Sequence, residues 1–173
     1  MPEKQLALFD FDGTITHADS MLELARFHRG TTGYWATMAT LAPGLALHKL
    51  GAISATIAKQ RFLSAFFGGM VHEHFNELCH RFCQQKLPML LRPAALERLR
   101  WHQQQGHQVY LVSASAVTGR LANNNCNGEE KLRRIKAELA LEEYSEIYAY
   151  GDSSGDTAML SIATQPHFKP FRN

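Results

Sequence analysis

Three five-residue apolar runs stand out along the chain: Gln5–Phe9 (QLALF), Gln108–Val112 (QVYLV) and Glu146–Tyr150 (EIYAY). Short, nearly continuous apolar runs predict strands buried on both faces, as in parallel sheets. Each gives way at once to a polar cluster: DFDGT, SAS and GDSSGD. Apolar residues at three- and four-residue spacing predict helices over Ser20–His28, Tyr34–Lys49, Ala52–Phe67, His72–Gln85, Pro93–Gln105, Glu129–Ala140 and Asp156–Ala163. Pro93 suits a first helical position, and Gly106 stops the helix that leads into QVYLV.

Helix and strand alternate on both flanks, whereas residues 16–88 hold no strand pattern. The distribution predicts an α/β core, 1–15 and 89–173, interrupted by an all-helical cap, 16–88. Polar clusters at the carboxyl ends of buried parallel strands are where such sheets bind ligands. A length of 173 residues allows one domain with an insertion, and 45% hydrophobic with 20% charged residues excludes a disordered chain. A net charge of +2 gives no steering field for nucleic acid. Three cysteines, Cys79, Cys83 and Cys126, do not make a disulfide framework and fit a reducing, cytoplasmic setting. The start, MPEKQLALFDFDGT, lacks the layout of a signal peptide. Tyr34–Leu47 is strongly apolar but falls short of the roughly 20 residues of a span. With Pro43-Gly44 inside, it reads as a buried helix pair with a turn, or else as a segment resting on lipid in peripheral contact.

The chemistry begins at Asp10-Phe11-Asp12-Gly13-Thr14. Side chains at i and i+2 of an extended strand point the same way, so Asp10 and Asp12 enter one crevice. Gly13 permits a sharp reversal and a close approach of backbone N–H groups to an anion. Paired carboxylates repel unless a cation joins them, and Mg²⁺ is the natural partner. A second acidic cluster, Gly151-Asp152-Ser153-Ser154-Gly155-Asp156, places Asp152 and Asp156 at i, i+4; it reads equally as a helix cap. Lys131 occupies a first helical turn, where the dipole disfavours a cation, so it calls for an anionic partner. Ser113 closes QVYLV with a hydroxyl suited to a phosphate oxygen or to an ordinary turn.

Taken in order, DFDGT, Ser113, Lys131 and GDSSGD resemble the haloacid dehalogenase-like hydrolases, closest to the phosphoserine-phosphatase-like branch with its helical cap after the first motif. The run Asn125-Cys126-Asn127-Gly128-Glu129-Glu130-Lys131 is similar to the C-x-G-x-E-K found around the lysine in that branch. The resemblance implies a Rossmann-like parallel sheet core and a Mg²⁺-dependent phosphomonoester hydrolase. It makes Asp10 the nucleophile and Asp12 the general acid and base. It assigns Mg²⁺ to Asp10, the Asp12 carbonyl and Asp152, with Asp156 supporting. It gives phosphate binding to Ser113, Lys131 and the backbone at Gly13.

For substrate selection the resemblance points to Asp19, where the branch typically carries Glu, and to Arg61 in the cap. It favours phosphoserine or a similar small phosphomonoester. Gly13 stands where the branch usually carries serine, and the apolar cap around Phe62-Leu63-Ser64-Ala65-Phe66-Phe67, with Tyr34–Leu47 and the C-x-G-x-E-K run, looks more like relatives acting on phospholipid head-group phosphates such as phosphatidylglycerophosphate. Other classes on the same fold are a non-catalytic phosphate-binding protein and a phosphotransferase. His72, His74, Cys79, His80 and Cys83 mimic a zinc cluster but lack its spacing, and read as cap packing and solvated side chains. Finally, too few residues separate Ser115 from the helix near Glu129 for a parallel crossover. A strand-plus-crossover unit of about 30 residues is expected to be missing between Ser115 and Val117.

Overall fold

In a computed structural model, residues 4–113 and 128–172 are described, together with the backbone of 116–117 and 120–121. The chain divides into two compact units, of which the first holds described residues 4–19, 90–113 and 128–172. Its centre is a parallel sheet of β1 (Lys4–Phe9), β2 (Gln108–Leu111), β5 (Tyr144–Gly151) and β6 (Gln165–Phe168), in the order β2-β1-β5-β6. The two-residue strands β3 (Ala116–Val117) and β4 (Arg120–Leu121) pair antiparallel apart from it. The fold is therefore α/β, a Rossmann-like parallel core carrying an inserted helical cap.

The continuous apolar run of β1 finds apolar partners on both faces of the sheet. Leu6 and Leu8 pack with Ile147, Ala149, Ile135 of α6 (Glu129–Glu138) and Met159 of α7 (Thr157–Ser161). Ala7 and Phe9 pack with Tyr150, Ile15 and Ala95 of α5 (Pro93–Gln104). Where the chain leaves and re-enters this unit, Thr16 and Leu91 form an antiparallel bridge. The Arg92 N–H donates to the Ile15 carbonyl (2.8 Å) and the His17 N–H to that of Leu90 (2.9 Å).

Of the described residues, 20–89 with 116–117 and 120–121 form the second unit; β3 and β4 aside it is helical: α1 (Ser20–Lys49), α2 (Ala55–Phe67), α3 (His72–Gln85) and the single turn α4 (Leu87–Leu90), which ends one residue beyond 20–89. Tyr34 of α1, Phe62, Leu63, Phe66 and Phe67 of α2, and Phe75 and Leu78 of α3 make its core. The aromatic run that marked the cap in sequence is thus its packing centre.

The two segments Ser20–His28 and Tyr34–Lys49 do form two helical pieces, since α1 is interrupted at the non-helical Gly30 (φ 66°, ψ 171°). Several other expectations are corrected. No turn forms at Pro43-Gly44; the helix runs through Pro43, and Tyr34–Leu47 is not a buried pair, since Trp35 is 57% exposed. β2 is not buried on both faces: Tyr110 and Leu111 are exposed. α2 starts at Ala55, capped by the Ser54 side chain on the Ile57 N–H, and α6 and α7 end early, at Glu138 and Ser161. β6 escaped prediction because Pro166 interrupts its pattern; at a sheet edge a missing N–H is tolerated. The expected missing unit, between Ser115 and Val117, lies outside the described residues.

Candidate active site

The site forms where β1 and β5 end side by side. Asp10 is extended (φ −71°, ψ 156°), and its N–H donates to the Tyr150 carbonyl at 2.9 Å. The chain then makes one tight turn, Phe11–Ile15, in which Asp12 remains extended and Gly13 takes φ 83°. A Cβ at Gly13 would sit 2.7 Å from Cγ of Asp152, so only glycine leaves room for that carboxylate. Thr14 donates its hydroxyl to Asp10 Oδ2 (3.2 Å).

On the neighbouring strand, Gly151 leads into a loop organised by Asp156. Asp156 Oδ2 accepts from the N–H groups of Asp152 (3.1 Å) and Ser153 (3.0 Å) and from the Ser153 hydroxyl (2.9 Å). Ser153 is the N-cap, and with Asp156 it closes a capping box over the turn Ser154–Asp156. The two readings of this cluster separate by residue: Asp156 builds the loop, and Asp152 is presented by it.

Lys131 joins the two halves. It is 2% exposed, and its ammonium donates to Asp10 Oδ1 (2.7 Å) and Asp156 Oδ1 (2.6 Å). The N–H of Gly128, just before α6, donates to the Gly155 carbonyl (2.8 Å), which ties the helix start to the Asp156 loop. The expected anionic partners of Lys131 are therefore carboxylates. Burial opposes its charge, but Asp10 and Asp156 outweigh burial and raise its pKa. Burial acts on Asp156 too, yet hydrogen bonds from Lys131 and the backbone hold its carboxyl below the ordinary range. For Asp10 burial prevails over Lys131, and its pKa is raised.

Carboxylate oxygens of Asp10, Asp152 and Asp156 lie within 4.8 Å of one another, the one such ligand group among the described residues. Three carboxylates face one buried ammonium, so the donor set is short of positive charge. Asp156 is the most heavily engaged, with Oδ1 on Lys131 and three loop donors on Oδ2, whereas Asp10 Oδ2 takes only the longer Thr14 bond; Asp10 and Asp152 are therefore the carboxylates suited to a hard cation, and the residues fit Mg²⁺. Arg172, which has no signal in the sequence pattern, donates to Asp152 Oδ2 and supplies part of the missing charge.

Of the expected residues, Asp10, Gly13, Lys131, Asp152 and Asp156 come together. Asp12 follows two residues after Asp10 on the same turn, half-buried. Ser113 stands at the same end of the sheet, where the N–H of Val112 donates to the Phe9 carbonyl (2.8 Å). Asp19 is exposed at the end of the first unit's opening segment. Arg61 lies on α2 beside Gly44 of α1, where a glycine Cβ would be 3.2 Å from its Nη1. Among the described residues, the cap histidines and cysteines form no ligand group; Cys79 packs on the cap core, and His72, His74, His80 and Cys83 are exposed.

The family model of the haloacid dehalogenase-like hydrolases matches residues 7–117 and 114–161. The chain belongs to that family. It is an enzyme, a hydrolase of the haloacid dehalogenase type. Protein CicA of Caulobacter vibrioides is 27% identical over 202 aligned positions, covering 98% of this chain and 88% of CicA. The fold is shared with a protein of unknown function from Bordetella pertussis Tohama I (22% identity, 95% of this chain and 89% of the other, TM-score 0.77). It is also shared with a family hydrolase from Salmonella enterica serovar Typhi (16% identity, 99% and 70%, TM-score 0.68).

Proposed function

We propose that the chain is a Mg²⁺-dependent phosphomonoester hydrolase that works through a phospho-aspartyl intermediate on Asp10, with phosphoserine or a similar small phosphomonoester as substrate. The observation that carries this reading is the buried Lys131 bridge between Asp10 and Asp156. It holds the nucleophile in one orientation by the oxygen that does not attack, and keeps a positive charge where phosphoryl oxygens would gather. Asp10 Oδ2 attacks phosphorus while the ester P–O bond breaks, and Asp12 gives its proton to the departing alkoxide. Asp12 then takes a proton from water, whose oxygen attacks the phospho-aspartate; inorganic phosphate leaves and the Asp10 carboxylate is restored. Asp10, the Asp12 carbonyl and Asp152 would hold Mg²⁺, which supplies charge shielding between an anionic nucleophile and an anionic phosphate. Ser113, Lys131 and the backbone at Gly13 bind the equatorial oxygens, and Asp19 and Arg61 select the substrate.

Residues 16–88 serve as the cap, and 1–15 with 89–173 as the core, of a cytoplasmic enzyme. About 30 residues, a strand and its crossover, are absent between Ser115 and Val117. Supporting this, the family match comes in two pieces that meet at 114–117, and the alignment with CicA runs to 202 positions against a chain of 173. The intact mass of the protein purified from its natural source tests it: a mass heavier by a strand-and-crossover unit would mean the segment is present. The exposed apolar side chains of α1 favour phospholipid head-group phosphates as a second substrate reading.

The function is tested by phosphate release from p-nitrophenyl phosphate with Mg²⁺, beside an Asp10→Asn control. Release is expected only from the parent; none above the control overturns the hydrolase mechanism. A screen across phosphoserine, sugar phosphates and lysophospholipid phosphates then separates the two substrate readings.

A further inference from the structure

The second half of α1 is apolar on both of its faces. Tyr34, Met38 and Leu41 turn into the cap core. Trp35, Ala36, Ala39, Ala42, Pro43, Ala46, Leu47 and, just past the helix end, Leu50 are exposed. At 100° per residue these eight positions fall on one arc of the helix, about 22 Å long from Trp35 to Leu50. Leu50 is 81% exposed, and α2 exposes Ile57 in its first turn. A soluble helix normally turns charged residues outward on such an arc; here Gly30 to Leu47 contains no charged side chain.

The charge around the arc is one-sided. From Leu24 to His72 there is no acidic residue, while Arg26, Arg29, Lys49, Lys59 and Arg61 are basic. Residues 20–89 hold seven Lys and Arg against three Glu, more positive than the whole chain's +2.

We propose that the α1–α2 hairpin docks on the surface of an anionic lipid bilayer, with the Trp35–Leu50 arc in the interfacial layer and Lys49 against lipid phosphates. An exposed apolar arc with cations and no acid complements such a surface. No helix of the described residues is long and apolar enough to cross a membrane, so the hairpin lies on the bilayer. The inference rests on the cap surface and is independent of the proposed chemistry; Asp10→Asn is expected to bind vesicles like the parent.

The test is co-sedimentation with vesicles of phosphatidylcholine containing about 40% phosphatidylglycerol, against phosphatidylcholine alone. In a Trp101→Phe background Trp35 is the sole tryptophan, and its emission is expected to shift to the blue on binding. Lys49→Ala should weaken binding about fivefold, and raised salt should weaken it further. Trp35→Glu with Leu50→Glu should weaken it by more than about tenfold. Each variant should keep the parent's melting temperature and p-nitrophenyl phosphate turnover. Failure to bind, or variants that bind like the parent, overturns the proposal. So does a dimer in lipid-free buffer that Leu50→Glu dissociates, since that assigns the arc to a second copy.

Discussion

The site turns on single atoms, and Lys131 is the first. Its ammonium is the only positive charge buried between Asp10 and Asp156 among the described residues. Replacing it with Met leaves two buried carboxylates facing each other, which costs about 3–5 kcal/mol. Urea unfolding at pH 7 should show that loss, with phosphatase turnover abolished. The variant should also regain stability as pH falls from 7 towards 5. Without Lys131 a folded carboxyl binds a proton more readily than an unfolded one, so acid favours the folded state. Gly13 is the second such position. Gly13→Ala pays for φ 83° with about 1–2 kcal/mol and drives its methyl into the Asp152 carboxylate. Titrating turnover with Mg²⁺ should show a requirement raised at least about tenfold.

Among elements, α5 and the strands beside it share a buried imidazole. His102 Nε2 lies 2.8 Å from the Tyr150 hydroxyl, and Nδ1 lies 2.8 Å from His107 Nδ1. Burial pushes the Tyr150 phenol up to about 12, so it keeps its proton at neutral pH. Burial, with His107 and Arg98 adding to it, lowers His102 to about 4 from 6.5. Between those pH values the unfolded chain binds the proton and the folded chain does not, so stability falls as pH drops from 6.5 to about 4. Melting curves over that range should show the slope, and His102→Asn should flatten it. None of this network was legible, because a histidine on a helix, a second in the following loop and a tyrosine on a distant strand share no local pattern. The three strands and α3 were legible, since apolar runs and helical spacing survive unchanged in the fold. Pro43 misled because a proline in a helix costs about 3 kcal/mol, and packing of Tyr34, Met38 and Leu41 on the cap core offsets it. Asp10, Asp152 and Asp156 were legible as motifs at strand ends, and Lys131 as a cation in a first helical turn. Arg172 was not, because an arginine outside any periodic element gives no signal.

At the scale of the whole molecule, the sheet ends at β2, which among the described residues pairs with β1 alone. Gln108–Leu111 has the composition of an interior strand, with no charge and no proline, yet Tyr110 is 40% and Leu111 is 56% exposed. Parallel sheets are normally covered on both sides, and natural edges are guarded by charge, proline or bulges. A strand-and-crossover unit lost after Ser115 would leave just this edge, an interior sequence in an exterior place. The sequence read β2 as buried for the same reason: composition records the neighbour a strand was suited to, not the one it has. The unpaired edge should then govern how the protein aggregates on warming. Leu111→Lys sets a charge on the exposed side chain without removing a buried contact, so the melting temperature should change by less than about 2 °C. Light scattering during a thermal ramp should fall markedly against the parent. Equal scattering from both proteins would place the aggregating surface elsewhere, with the Trp35–Leu50 arc the next to examine by Leu50→Glu.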